Sequence, residues 1–149
     1  MPLEFWFDFA STYSYPAALR IAPLAEVAGV EVVWRPFLLG PVFQAQGWQD
    51  SPFNLYPAKG RYMWRDLERI CAALDLPFKR PTQFPRNSVL AARVACHVAD
   101  EPWAGEFIRN LYRANFAEDR DIGSPAVVAS CLDTLGQSGQ ALIDAAQSP

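Results

Sequence analysis

Leu3, Phe5, Phe7 and Phe9 alternate with Glu4 and Asp8, a period of two that predicts a short buried strand ending near Asp8. Ser11, Thr12 and Ser14 then offer hydroxyls just ahead of Pro16, a residue favoured in a first helical turn. Leu19, Ile21, Ala22, Leu24 and Val27 carry the pattern of a helix over residues 15–27, bent at Pro23 and ended at Gly29. A second strand is predicted at Val30–Trp34, VEVVW, closed by Pro36. Its arrival after one crossover helix makes it parallel to the first, in a right-handed βαβ unit. Residues 37–61, rich in Pro, Gly, Gln and Asn, predict a long irregular connection, and loops of that length in compact domains are usually functional or mobile.

From Tyr62 the period changes to that of helices. Met63, Leu67, Ile70, Cys71 and Leu74 share one face opposite Arg65, Glu68 and Asp75, until Pro77 stops the run. Asn87 or Ser88 caps a helix through Val98, Pro102 opens another to about Phe116, Ser124-Pro125 starts a third, and a shorter one follows Ser138. The pattern thus divides the chain into a βαβ part over residues 1–37, a connecting loop at the active site over 38–61, and a helical part over 62–149. Two strands make a poor sheet by themselves, so the fold reads as α/β with helices dominating.

Composition narrows the function classes. The 149 residues are 51% hydrophobic, enough for one domain with a sizeable core. A net charge of −3 and a pI of about 5.1, without a basic run, argue against nucleic acid or an anionic membrane as partner, and leave a small-molecule substrate. A homodimer is left open. The N-terminus enters strand-like sequence directly, with no basic segment or small-residue cleavage site, so the cytoplasm is the expected compartment. Cys71, Cys96 and Cys131 are odd in number, far apart and inside helical patterns, which argues against a disulfide framework or a zinc site and predicts buried thiols. His97, the one histidine, sits in the apolar run VACHVA and reads as a packed core residue.

The chemistry concentrates where the first strand meets the first helix. Such a junction aims unpaired N–H groups and the positive end of a helix dipole at one spot. A disulfide oxidoreductase of the thioredoxin type places Cys-x-x-Cys there, so that the first thiol ionises easily. This chain has Ser11-Thr12-Tyr13-Ser14 instead. Ser11 reads in two ways: as a helix cap, or as a hydroxyl that donates to a thiolate brought by another molecule, with glutathione the obvious supplier. An ordinary thiol of pKa about 8.5 needs roughly 2 kcal/mol to be half ionised at neutral pH. A dipole contribution of about 0.3–1 kcal/mol and one charge-assisted hydrogen bond of about 1.5–3 kcal/mol together cover it.

The connecting loop holds further candidates. Asn54 and Tyr62 are candidate substrate or cofactor contacts, and Lys59, just ahead of the predicted helix, is a candidate cation for a ligand carboxylate. An exposed lysine is more often a solvated charge. Trp48, Tyr62 and Trp64 could wall an aromatic substrate, although aromatics at helical spacing usually belong to the core.

FDFASTYSY near the start, SPFNLYPAKGRYMWRDLER in the middle and FPRNSVLAAR after it together resemble the 2-hydroxychromene-2-carboxylate isomerases, relatives of kappa-class glutathione transferases and of DsbA-type oxidoreductases. The resemblance covers essentially the whole chain. It implies a thioredoxin-like fold with a large inserted helical domain, glutathione as cofactor, Ser11 at its sulfur, and Lys59 near its site. It further implies an isomerase acting on an intermediate of aromatic degradation, with a kappa-like transferase or a non-catalytic truncated member as alternatives. Thr12 stands where the family usually has proline. Family members also continue through further strands, a cis-proline loop and a last helix, which the resemblance marks as absent from this chain.

Overall fold

The computed structural model describes residues 1–148. Strand β1 (Leu3–Phe7) and strand β2 (Val32–Pro36) pair in parallel, with Phe5 opposite Trp34, and helix α1 (Ser14–Val27) crosses between them. Gly29, at φ +65°, turns the chain out of α1 in a left-handed conformation that residues with a Cβ avoid. Seven helices follow: α2 (Leu39–Ala45), α3 (Pro52–Leu55), α4 (Pro57–Ala73), α5 (Val89–His97), α6 (Ala104–Phe116), α7 (Pro125–Asp133) and α8 (Gly139–Gln147). This is a parallel βαβ unit joined to a helical body, as the patterning predicts.

One core unites the two parts. Phe7, Phe9 and Tyr15 from the strand, the turn after it and α1 meet Tyr112 and Phe116 of α6, with Phe9 and Tyr112 ring centroids 5.2 Å apart and Tyr15 and Phe116 stacked at 5.6 Å. Burying each such aromatic is worth roughly 1.5–3 kcal/mol. The Tyr112 hydroxyl donates to the Asp8 carbonyl at 2.9 Å, so a fully buried phenol of the core also fixes the end of β1. Burial drives its pKa well above the ordinary value of 10.0, and it stays a neutral donor.

Several expectations change. The connection over residues 37–61 is not irregular: α2, α3 and the first turn of α4 lie within it. Pro52 and Pro57 open helices, and Ser51 accepts from the Phe53 N–H at 3.3 Å to cap α3. Gly60 explains the tight corner between α3 and α4, since a Cβ there would meet the Phe53 carbonyl oxygen at 2.2 Å. Strand β2 runs two residues later than the VEVVW pattern suggests. Strand β1 is buried only at its end, because Leu3 is exposed, Phe5 half-buried and Phe7 enclosed. Cys71 and Cys131 are buried and their thiols are pushed up by desolvation, but Cys96 is exposed. His97 is exposed as well: it ends α5 rather than packing in the core, since Val94, Ala95 and Val98 take the inward positions.

Candidate functional site

Asp8 follows β1 directly and is only 4% exposed. Its carboxylate accepts three hydrogen bonds from three separate segments: the Ala10 N–H at 2.8 Å, the Leu39 N–H at the start of α2 at 2.7 Å, and the Ser88 hydroxyl just before α5 at 2.8 Å. Its backbone carbonyl accepts from the Ser11 N–H at 3.0 Å. A buried carboxylate persists only when its oxygens are satisfied in this way. One side chain therefore sets the turn that carries Ser11 and ties it to α2 and α5.

Ser11 does not cap α1. The capping position falls to Tyr13, and no side chain bonds the helix N-terminus. The first-turn N–H groups of a helix lack intrahelical partners and carry partial positive charge, and α1 begins three residues after Ser11, which borders a cavity. The cavity, of about 500 Å³, lies between the turn after β1, α2 and the loop ahead of α5. Ser11, Thr12 and Ser88 supply hydroxyls, and Leu38, Leu39, Phe43, Trp48, Phe53 and Phe84 supply an apolar wall. The peptide bond between Phe84 and Pro85, both at the rim, is cis.

Lys59, Tyr62 and Asn54 do not join Ser11 in the lining. Lys59 is exposed and lies outside the lining, its ammonium 5.9 Å from the centre of the Phe53 ring, because α4 already begins at Pro57 and carries it away. Tyr62 is 74% exposed on the outer face of α4. Asn54 lies behind the wall, where it donates to Asp50 and to the Phe84 carbonyl at 3.0 Å and so braces α3 against the Phe84–Pro85 segment. Trp48 does line the cavity, whereas Trp64 is packed against Phe84. Tyr13 points away, donates to Asp66 at 2.8 Å, and has its pKa raised to about 12 by burial and by that carboxylate.

Patterning missed Asp8, Ser88 and Arg86. Asp8 was visible only as a polar residue at a strand end, and Ser88 only as a cap. Arg86 is enclosed, and its guanidinium donates to Asn115 Oδ1 at 3.0 Å and to Asp119 Oδ1 at 2.6 Å. Asp119 also accepts from the Thr82 N–H, which together with Arg86 holds its carboxyl down at about 2. This network clamps the 82–88 loop to the end of α6. Among the described residues no cluster of His, Cys, Asp or Glu could hold a metal ion.

Comparison with known proteins places these features in a family. The family model described as a DSBA-like thioredoxin domain matches residues 2–149. The chain is 25% identical to a 2-hydroxychromene-2-carboxylate isomerase from Sphingobium xenophagum over 99% of its own length and 74% of that protein's. It is 23% identical to the human glutathione S-transferase kappa 1, over 93% of this chain and 63% of the transferase, so it spans less than two thirds of that relative. A solved structure of a 2-hydroxychromene-2-carboxylate isomerase superposes with a TM-score of 0.84 at 24% identity, covering 99% of this chain and 72% of the other.

Proposed function

The chain belongs to the DSBA-like thioredoxin domain family, and from that premise we propose that it is a glutathione-dependent isomerase acting on an intermediate of aromatic degradation. The observation that carries this reading is Ser11: a serine three residues ahead of a helix start that has no side-chain cap, lining a largely apolar cavity of about 500 Å³. The volume lies within the range of small-molecule sites. The similarity to an isomerase and to a glutathione transferase supports the choice of cofactor and reaction class.

The residues present fit a thiol. When bound, glutathione supplies a nucleophile whose reversible addition to a conjugated carbon turns a double bond into one that can rotate. Ser11 donates its hydroxyl hydrogen to the sulfur, and the N-terminus of α1 adds its field, so the ionised form is favoured at neutral pH. Asp8 holds the turn and keeps the Ser11 backbone fixed through its carbonyl. Phe43, Trp48 and Phe53 flank the space, keep water from the reacting carbons and offer flat surfaces to an aromatic ring. Cysteine plays no part in this scheme, since Cys71 and Cys131 are buried in the core and Cys96 does not line the cavity.

A second reading, transfer of glutathione to an electrophile, uses the same thiolate and draws support from the kappa-class relative. Product analysis separates them. Isomerisation returns the thiol and yields a product of unchanged mass, whereas transfer consumes the thiol and leaves a stable thioether. Ultraviolet titration of the bound thiol tests the shared premise. A pKa as high as that of free glutathione would overturn both readings.

A further inference from the structure

Two successive carbonyls lead from β1 into the turn that carries Ser11, and α6 holds both. The Tyr112 hydroxyl donates to the Asp8 carbonyl at 2.9 Å, and Asn115 Nδ2 donates to the Phe9 carbonyl at 3.0 Å. The two donors are three positions apart on α6 and so lie on one face of it. Asn115 is 2% exposed and its bond to Phe9 is buried, so this carbonyl relies on a side chain rather than on solvent. Arg86 settles the orientation of the Asn115 amide. Its Nη1 donates to Asn115 Oδ1 at 3.0 Å, and a guanidinium carries donors only, so the amide oxygen faces Arg86 and the nitrogen is left for Phe9. Arg86 is anchored in turn through Nη2 to Asp119 Oδ1 at 2.6 Å. The series Asp119, Arg86, Asn115, Phe9 ends two residues before Ser11.

We propose that Asn115 is a positioning residue for Ser11: through the Phe9 carbonyl it holds the turn after β1 where the Ser11 hydroxyl meets a bound thiol. This rests on the reading of Ser11 as the donor to that thiol and goes beyond it by naming what holds the donor in place. Asp8 fixes the turn to α2 and to the residue ahead of α5, whereas Asn115 fixes it to α6. The physical basis is the cost of an unpaired buried carbonyl. Without the Asn115 donor the Phe9 peptide turns toward another partner, and a hydrogen bond from Ser11 weakens steeply with such a displacement.

Ultraviolet titration of glutathione bound to the full chain tests this in two variants. Asn115→Asp keeps the size and the acceptor for Arg86 and removes only the donor to Phe9, while Asn115→Ala removes the donor without adding charge. Asn115→Ser takes the place of the alanine variant should that one not fold. Each is expected to raise the bound thiol pKa by about one unit. S-methylglutathione has no thiolate to stabilise, so calorimetry should find its affinity changed by less than about threefold. Ile143→Val, at a buried position of α8 outside the cavity lining, should lower the melting temperature and leave the thiol pKa as it was. Ser11→Cys gives a reading without glutathione: the introduced thiol, followed by alkylation rate against pH, should rise in pKa by a similar amount when Asn115→Ala is added. An unmoved thiol pKa in both variants would overturn the proposal. So would a rise confined to Asn115→Asp, which charge alone explains, a rise also produced by Ile143→Val, or a rise matched by an equal loss of S-methylglutathione affinity. If glutathione bound to the unaltered chain kept the thiol pKa of free glutathione, the glutathione reading would fall, and the introduced thiol would decide by itself: a shift with Asn115→Ala upholds the positioning, and no shift overturns it.

Discussion

The turn after β1, which lines the cavity, and the start of α4, which lies outside it, are built in opposite ways. In the first, Asp8 is 4% and Thr12 2% exposed, and every contact of the Asp8 carboxylate is to a different segment. In the second, Lys59 is exposed and Tyr62 is 74% exposed, and neither side chain donates a hydrogen bond to the rest of the chain among the described residues. Geometry at the turn is enforced by the cost of leaving buried donors unpaired. At the start of α4 nothing enforces it, and water screens whatever charge is there. A reacting group needs the first situation, because a misplacement of an ångström already costs rate.

The contrast can be broken most severely at Asp8. Asp8→Ala leaves the Ala10 and Leu39 N–H groups without a partner, and chemical denaturation should show a loss of about 3 kcal/mol. Asp8→Asn keeps one acceptor and should lose less. If Asp8→Ala cost nothing, the three bonds would not be what holds the cavity together.

Ser11→Ala should come next, and its effect should fall on chemistry rather than stability. The bound thiol pKa is expected to rise by about one to two units, following the roughly 1.5–3 kcal/mol of a charge-assisted hydrogen bond. Turnover at neutral pH should drop about tenfold to a hundredfold, while the melting temperature stays close to that of the unaltered chain. The converse change, Ser11→Cys, should produce a thiol more acidic than the ordinary 8.5 or so, visible in alkylation rate against pH, without restoring isomerisation.

A smaller effect is expected from acid. Asp119 has its carboxyl lowered from 3.8 to about 2, chiefly by the Thr82 N–H and then by Arg86. Since the folded value is the lower one, this stabilisation is complete above the ordinary carboxylate range and is lost as pH falls through about 2. Melting curves across that window should show the Asp119→Asn variant less stable at neutral pH and less sensitive to acid than the unaltered chain. A parallel pH dependence of the two would remove Asp119 from the clamp. The smallest effect belongs to Lys59→Ala, which should change glutathione affinity and turnover by less than about twofold, as for a solvated charge. A large loss would mean that Lys59 reaches the ligand and would undo the contrast itself.

The elements of the fold were legible because each rests on a local rule. Period-two aromatics mark β1, Gly29 ends α1, and the Ser124-Pro125 pair starts α7, so the order of strands and most of the later helices could be read directly. Residues 37–61 were misjudged because Pro, Gly, Gln and Asn are poor helix formers in isolation. Pro at a first turn and the packing of Gly60 on Phe53 outweigh that preference. His97 and Cys96 show the same limit: an apolar run fixes a helix but not which of its faces is covered.

At the site, the sequence by itself determined that a serine stands at a strand–helix junction where a redox protein would carry cysteine, and that no cysteine could take its place. Tertiary structure alone decided which residues share its cavity. Asp8, Leu39 and Ser88 converge on it although they are 31 and 80 positions apart from the first of them, while Lys59 and Tyr62 turn outward. The reason is physical. Helix and strand signals are written over a few neighbouring residues, but whether a side chain is buried, paired or free depends on which distant surfaces close over it, and that is fixed when the core of Phe7, Tyr15, Tyr112 and Phe116 packs.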